Sequence, residues 1–242
     1  MASTAVGATL TILHRQRQLA LRSSLISEIA RLFPGWKLND ESSYEMLQAG
    51  LIYLVNQGSQ KSAELAASYY QLFRQVEAPG AEALPKVVLS AAPPIEQIRT
   101  ALRVTSKGAA YRSLGAGMDY PQAMANALVQ VSGSMSRIAL DSGRDTIMDN
   151  VRSDPRAVGW AREGSGEECA FCAMLISRGP VYKEETVDFE AHDHCVCFGT
   201  PVYDMAAGWS DQAREYSDMW SQTGDLNGFR SALTERAAAT AA

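Results

Sequence analysis

At 242 residues the chain is long enough for one or two domains, and its 46% apolar content is ample for a sizeable core, which excludes a disordered protein. A net charge of −5 gives no global case for nucleic-acid binding. No stretch approaches the ~20 apolar residues that cross a bilayer, the best being the short run Leu51-Ile52-Tyr53-Leu54-Val55, so no membrane role is expected.

The opening MASTAVGATLTILHRQRQ has no basic region ahead of its mildly apolar run and makes a poor signal peptide, so the chain is expected to fold in a reducing cytosol. From Met1 to Lys37 five basic residues (Arg15, Arg17, Arg22, Arg31 and Lys37) face the single acid Glu28. Such a basic arm on an acidic body can meet DNA or an acidic partner, or serve only as a solvated helix face. Within it, Leu10, Leu13, Leu21, Leu25, Ile29 and Leu32 recur at helical spacing, which predicts a long amphipathic helix over residues 8–33, stopped by Pro34-Gly35. His14, beside Arg15 and Arg17, is expected at the surface.

Asn39-Asp40-Glu41-Ser42 supplies N-cap candidates for one or two helices over residues 44–76, ending at Pro79-Gly80. Pro79, Pro85, Pro93 and Pro94 mark residues 79–94 as a linker or exposed crossing loop. A helix over residues 95–107 is expected to break at Gly108. Pro121 then sits near the first turn of a further helix carrying Met124, Leu128, Val131, Met135, Ile138 and Leu140, running on to Asp154-Pro155; its methionines are expected to pack the core.

The texture changes after Pro155. Val158–Arg162 has strand character, Gly164–Glu168 is a turn, Ala170–Ser177 a short helix, Gly179–Tyr182 extended, and Thr200–Tyr203 a final strand. Trp209–Gly224 is amphipathic again, and the alanine-rich tail from residue 231 to residue 242 is expected to fray. The fold class is therefore α+β, predominantly α: a helical part over residues 1–155 and a small α+β module over residues 156–230. Trp160, Trp209 and Trp220 are expected as core or interface anchors.

All four cysteines fall within that module. Cys169 and Cys172 form a C-x-x-C knuckle, and His192-Asp193-His194-Cys195-Val196-Cys197 follows after an acidic loop. Two short groups of soft donors separated by a loop are what a tetrahedral zinc site needs. In an extended run side chains alternate, so Cys195 and Cys197 point one way and His192 and His194 the other. Four cysteines are then the first-choice ligands, with His192 the substitute if the backbone turns at Asp193. Disulfides and unligated thiols are the competing readings, and a reducing compartment favours metal. Asp193 is either an acceptor that orients an imidazole or a turn residue.

The pattern C-x-x-C, loop, H-x-x-C-x-C resembles the signature of the phage Mu head-protein-F family, the MuF-like minor capsid or head-morphogenesis proteins. That family usually has proline where this chain has Asp193. Residues 168–182, His192–Cys195 and Pro201-Val202-Tyr203 are similar to an actinobacteriophage branch often labelled capsid maturation protease. The resemblance implies metal or structural roles for Cys169, Cys172, His192, Cys195 and Cys197. It also implies a place in the virion, inside the capsid or near the portal, with portal, scaffold and major capsid proteins as partners. A protease would draw on Cys169, Cys172 or Cys195 as nucleophile, His192 or His194 as base and Asp188 or Asp193 to orient it, or on Ser165 or Ser177. A thiolate committed to zinc is a poor nucleophile, however, and H-E-x-x-H is absent. A nucleic-acid-binding zinc module lacks the lysines and arginines that phosphate contact needs around the knuckle.

Overall fold

In a computed structural model, all residues are described except 1, 81–85, 165–167, 183–188, 190, 206–208 and 241–242. Three long helices set the frame: α1 (Ala5–Leu32), α2 (Glu41–Glu77) and α5 (Tyr120–Ser153). Each starts on a side-chain cap that satisfies an otherwise orphan amide. Thr4 accepts from the Gly7 amide, Asp40 from Ser43, and Asp119 forms a reciprocal capping box with Gln122 behind Pro121. Residues 44–76 thus belong to one continuous helix. The start of α1 is tied to the end of α2, because Glu77 accepts from the amides of Ser3 and Thr4 at 2.6 and 3.1 Å. At Gly143 the α5 backbone comes so close to Ser62 of α2 that a Cβ there would overlap it.

The helix from Ile95 does not break at Gly108. α3 (Ile95–Arg103) passes through a π-helical turn over Val104–Gly108 straight into α4 (Ala109–Gly115), and Gly108 keeps helical angles of −59° and −42°. Glycine weakens a helix by only about 1 kcal/mol, which burial of Ala109 and Ala110 against α5 offsets. The segment before α3 crosses α5 in extended form. Asn150 brackets Val88 with bonds to its amide and carbonyl at 2.9 and 2.7 Å, and Thr146 accepts from the Ser90 amide at 3.1 Å.

Three antiparallel strands follow in the order β2-β1-β3, with β1 (Gly159–Glu163) between β2 (Pro180–Tyr182) and β3 (Phe198–Val202). Trp160 lies opposite Val181 on one side and Pro201 on the other. α6 (Ala170–Ile176) connects β1 to β2, and α7 (Asp211–Thr223) and α8 (Leu226–Thr240) pack on α6. The alanine-rich segment carries α8 through residue 240; Phe229 in its first turn is fully buried, and the Arg236 guanidinium pairs with Glu215 at 2.5 and 3.0 Å. The fold is predominantly α with a small sheet.

The core has two parts. One lies within the helices, built from Leu25, Ile29, Leu51, Val55, Ile98, Leu102, Met135 and Ile138. The other joins Tyr69, Tyr70, Phe73, Ile147 and Val151 of the long helices to Trp160, Cys172, Ile176, Cys195, Cys197 and Tyr216. Cys172, Cys195 and Cys197 thus sit where the bundle meets the sheet. Trp209 and Trp220 pack at the edge of this second core.

His14 is not at the surface. It is 4% exposed, stacked on Tyr69 at 4.4 Å between ring centroids and edge-on to Phe198 at 5.6 Å. Arg15, one residue on, faces elsewhere on the helix, and Arg17, three residues on, lies beside His14 at the edge of the buried face with its own side chain exposed, so neither fixes the exposure of His14.

The candidate metal centre

Cys169 is the N-cap of α6 and Cys172 lies one turn in, so the short helix brings both thiols to one end. The opposing donors come from a tight turn: the Cys195 amide donates to the His192 carbonyl at 3.0 Å, and His194 between them has φ of +68°. With the positive angle confined to the third position, this is a type II turn. Asp193 holds its second position, where proline's fixed φ is favoured, so the proline usual in the resembling family suits the same backbone.

The turn overrides strand alternation. His192 swings inward, its Nε2 lying 2.9 Å from Cys169 Sγ and 3.2 Å from Cys172 Sγ, while Cys172 Sγ lies 3.6 Å from Cys195 Sγ. Two triads of donor atoms result, Cys169-Cys172-His192 and Cys172-Cys195-Cys197, each with all its atoms within 4.8 Å of one another. Cys172 is common to both. Cys172, Cys195 and Cys197 are buried, Cys169 is exposed, and all four are free thiols.

Each donor is held from behind. His192 Nδ1 lies 2.6 Å from the Asp193 carbonyl, an acceptor only, so Nδ1 carries the proton and the Nε2 lone pair faces the sulfurs. The orienting role expected of the Asp193 carboxylate is filled by its backbone. The carboxylate instead takes Arg137 Nε at 2.8 Å. Arg144, buried in α5, donates to the carbonyls of Cys197 and Cys195 at 2.9 and 3.1 Å, with Asp141 on its remaining nitrogen at 2.6 Å. Arg162 lies over the Phe189 ring at 3.7 Å and is electrostatically coupled to Cys197, Cys195 and Cys172. Neither arginine stood out in the sequence. Arg144 falls in an ordinary polar stretch of a helix, and no local pattern marks it.

The thiols are strongly differentiated. Hydrogen bonding with Cys195 and Cys197, together with burial, pushes Cys172 far up, whereas Cys195, as recipient of bonds from Cys172 and Cys197, is held well below the ordinary thiol range. Burial raises the Cys169 thiol, but the Cys172 amide and the His192 imidazole outweigh it and hold it down. Crowded sulfurs that ionise so unequally are the chemistry that a divalent cation relieves, because it lets several thiolates coexist. Soft sulfur and imidazole donors, mostly enclosed, fit a structural zinc ion.

Other candidates lie apart. The His194 imidazole packs against Gly133 of α5 so closely that a Cβ there would overlap its ring. Ser177 Oγ is spent on the Met174 carbonyl at 2.7 Å, and Ser165 and Asp188 fall outside the described residues. No helix among the described residues is long and apolar enough to cross a membrane.

No solved structure matches this chain. The Gene 15 protein of Mycobacterium phage D29 is 31% identical over 132 residues, an alignment covering 40% of this chain and 46% of the relative, so the chain spans less than half the length of the curated relative it matches. The model of the VG15 protein family matches residues 9–223, from the second turn of α1 through the end of α7, and takes in the helical bundle, the sheet and every candidate ligand. The chain belongs to the VG15 protein family.

Proposed function

We propose that this chain is a bacteriophage minor capsid or head-morphogenesis protein that acts in procapsid assembly near the portal, with a structural zinc ion clamping its C-terminal module. The observation that carries this reading is the convergence of donors from Cys169, Cys172, His192, Cys195 and Cys197 at the seam between bundle and sheet. The mycobacteriophage relative supports a phage origin, and the MuF-like spacing of the donors is what favours the virion setting.

Bound zinc would supply a cross-link between the start of α6 and the turn before β3. The chain's own residues do the rest: Asp193 fixes the imidazole through its carbonyl, and Arg144 ties the turn to α5. The assembled surface would then meet portal, scaffold and major capsid proteins. DNA contact through α1 is the weaker part. Arg15 donates to the Gly164 carbonyl at 3.2 Å, Arg31 pairs with Glu28, and Arg22 is half-buried toward Cys195, so the positive face is reduced.

Co-expression with portal, scaffold and major capsid proteins tests the reading. Incorporation into assembling heads, lost when Cys172 is replaced by serine, is the expected result; heads that assemble normally and never contain the protein would overturn it.

One observation favours a second reading, a capsid maturation protease: an exposed Cys169 sits 2.9 Å from the His192 imidazole, the spacing of a nucleophile and its base. Against it, the same Nε2 also faces Cys172, and a backbone carbonyl rather than a carboxylate holds Nδ1. Defined fragments of scaffold or capsid protein, abolished by Cys169→Ser but not by Cys195→Ser, would establish the enzyme.

A further inference from the structure

Five donors meet where a tetrahedral ion takes four, so one must stand outside. We infer that the metal set is Cys169, Cys172, His192 and Cys195, and that Cys197 is a buried fifth thiol outside the coordination sphere. This rests on the zinc reading above but is separable from it.

The short approaches form one connected path. Cys169 to His192 is 2.9 Å, His192 to Cys172 3.2 Å and Cys172 to Cys195 3.6 Å. Ligand atoms at zinc bond lengths of about 2.0–2.3 Å in a tetrahedron end roughly 3.3–3.8 Å apart, so the three steps of the path are already near that spacing, and closure needs Cys195 to draw in toward Cys169 and His192. Cys195 and Cys197 each lie within 4.8 Å of Cys172, and neither shares a triad with His192 or Cys169; what sets Cys195 apart is its direct approach to Cys172 at 3.6 Å.

What Cys197 contributes is its backbone. Its amide donates to Cys195 Sγ at 3.4 Å, a bond that favours the anionic form of that sulfur and pins it two residues back along the chain. Its own side chain is 2% exposed within the core that joins α5 to the sheet, where a thiol packs as a small apolar group. The serine variant keeps that amide and most of that volume.

His192 is committed by the opposite logic. With Nδ1 protonated against the Asp193 carbonyl, Nε2 has no other role than to accept, and both sulfurs of α6 stand in front of it. An all-cysteine set would leave this lone pair aimed at metal-bound thiolates, a repulsive arrangement.

Purified wild-type protein, Cys197→Ser, Cys195→Ser and His192→Gln are compared for zinc per chain and for the absorption of the cobalt-substituted form. Circular dichroism confirms that each variant is folded. Expected are about one zinc per chain in wild type and in Cys197→Ser, with affinity changed by no more than about 3-fold, and a loss of about 100-fold or more in Cys195→Ser and His192→Gln. Cobalt in wild type and in Cys197→Ser should give the same spectrum, that of three sulfurs and one nitrogen. Metal retained by His192→Gln and lost by Cys197→Ser would overturn the inference in favour of four cysteines while leaving the zinc reading intact. Wild-type protein that takes up neither zinc nor cobalt would overturn both.

Discussion

Arg144 reaches from α5 to the Cys197 carbonyl at 2.9 Å, and so couples the bundle to the segment that carries His192, Cys195 and Cys197. The same guanidinium also holds the Cys195 carbonyl, and both acceptors belong to the backbone, so the arginine positions the turn without touching a sulfur.

Replacing Arg144 by methionine keeps the aliphatic volume and removes three donors. Zinc affinity should fall by about 10- to 100-fold, the usual effect of losing a group that orients a ligand, while the helical core around Leu51 and Ile138 persists. Competition against a chromophoric chelator measures the affinity; a variant binding zinc as tightly as wild type would show that the turn forms unaided.

Asp193→Pro tests the turn itself. Proline fits the second position of a type II turn and removes unfolded-state freedom worth about 0.4–1 kcal/mol, against loss of a partly exposed ion pair with Arg137 worth about as much or less. Stability should change by less than about 1 kcal/mol and zinc should be retained. Loss of metal in this variant would mean that the Asp193 carboxylate, not its carbonyl, organises the imidazole.

Burial of His14, with Arg17 adding repulsion, lowers its pKa from 6.5 to about 3. The unfolded chain then binds the proton more readily than the folded one, so stability is full above about pH 6.5 and is lost as pH falls toward 3. The slope is at most about 1.4 kcal/mol per pH unit. Denaturant titrations of wild type and His14→Phe at about pH 7.5 and pH 5 should show wild type losing about 2 kcal/mol more than the variant. Acid release of metal affects both proteins alike, so the difference isolates His14; equal losses would refute the assignment.

Asp154 is fully buried at the end of α5, with Arg74 Nε at 2.7 Å, the Tyr70 hydroxyl at 2.9 Å and the Arg156 amide at 2.9 Å. Burial alone would raise its carboxyl, but these partners outweigh it and hold it below the usual range. Asp154→Ala should destabilise by about 3–5 kcal/mol, because it strands the Arg74 charge in the core. Arg74→Met combined with Asp154→Leu should recover much of that loss. A single variant that unfolds within about 1 kcal/mol of wild type would show the pair to be dispensable.

Much of the architecture was legible because it is written in local repeats. The stripe through Leu25 and Ile29, the cap at Asp40, Pro121 at the head of α5 and Gly224 in the left-handed conformation after α7 each act within a turn or two of themselves. The spacing of Cys169 and Cys172, and of Cys195 and Cys197, likewise announced two donor pairs. The stripe through His14, Gln18, Leu25 and Ile29 would have placed His14 inside, had it been read at helical spacing instead of by its neighbours.

Residue order alone therefore determined most of the helices, the strands and which side chains have the chemistry to bind metal, but not the passage of α3 through Gly108 into α4. Tertiary structure decided which of them face one another. A single positive φ at His194 reverses the side on which His192 emerges, and Arg144, 51 residues before Cys195, donates to the carbonyl at the end of that turn. Such choices depend on hydrogen bonds between segments far apart in the chain, and no pattern within either segment encodes them.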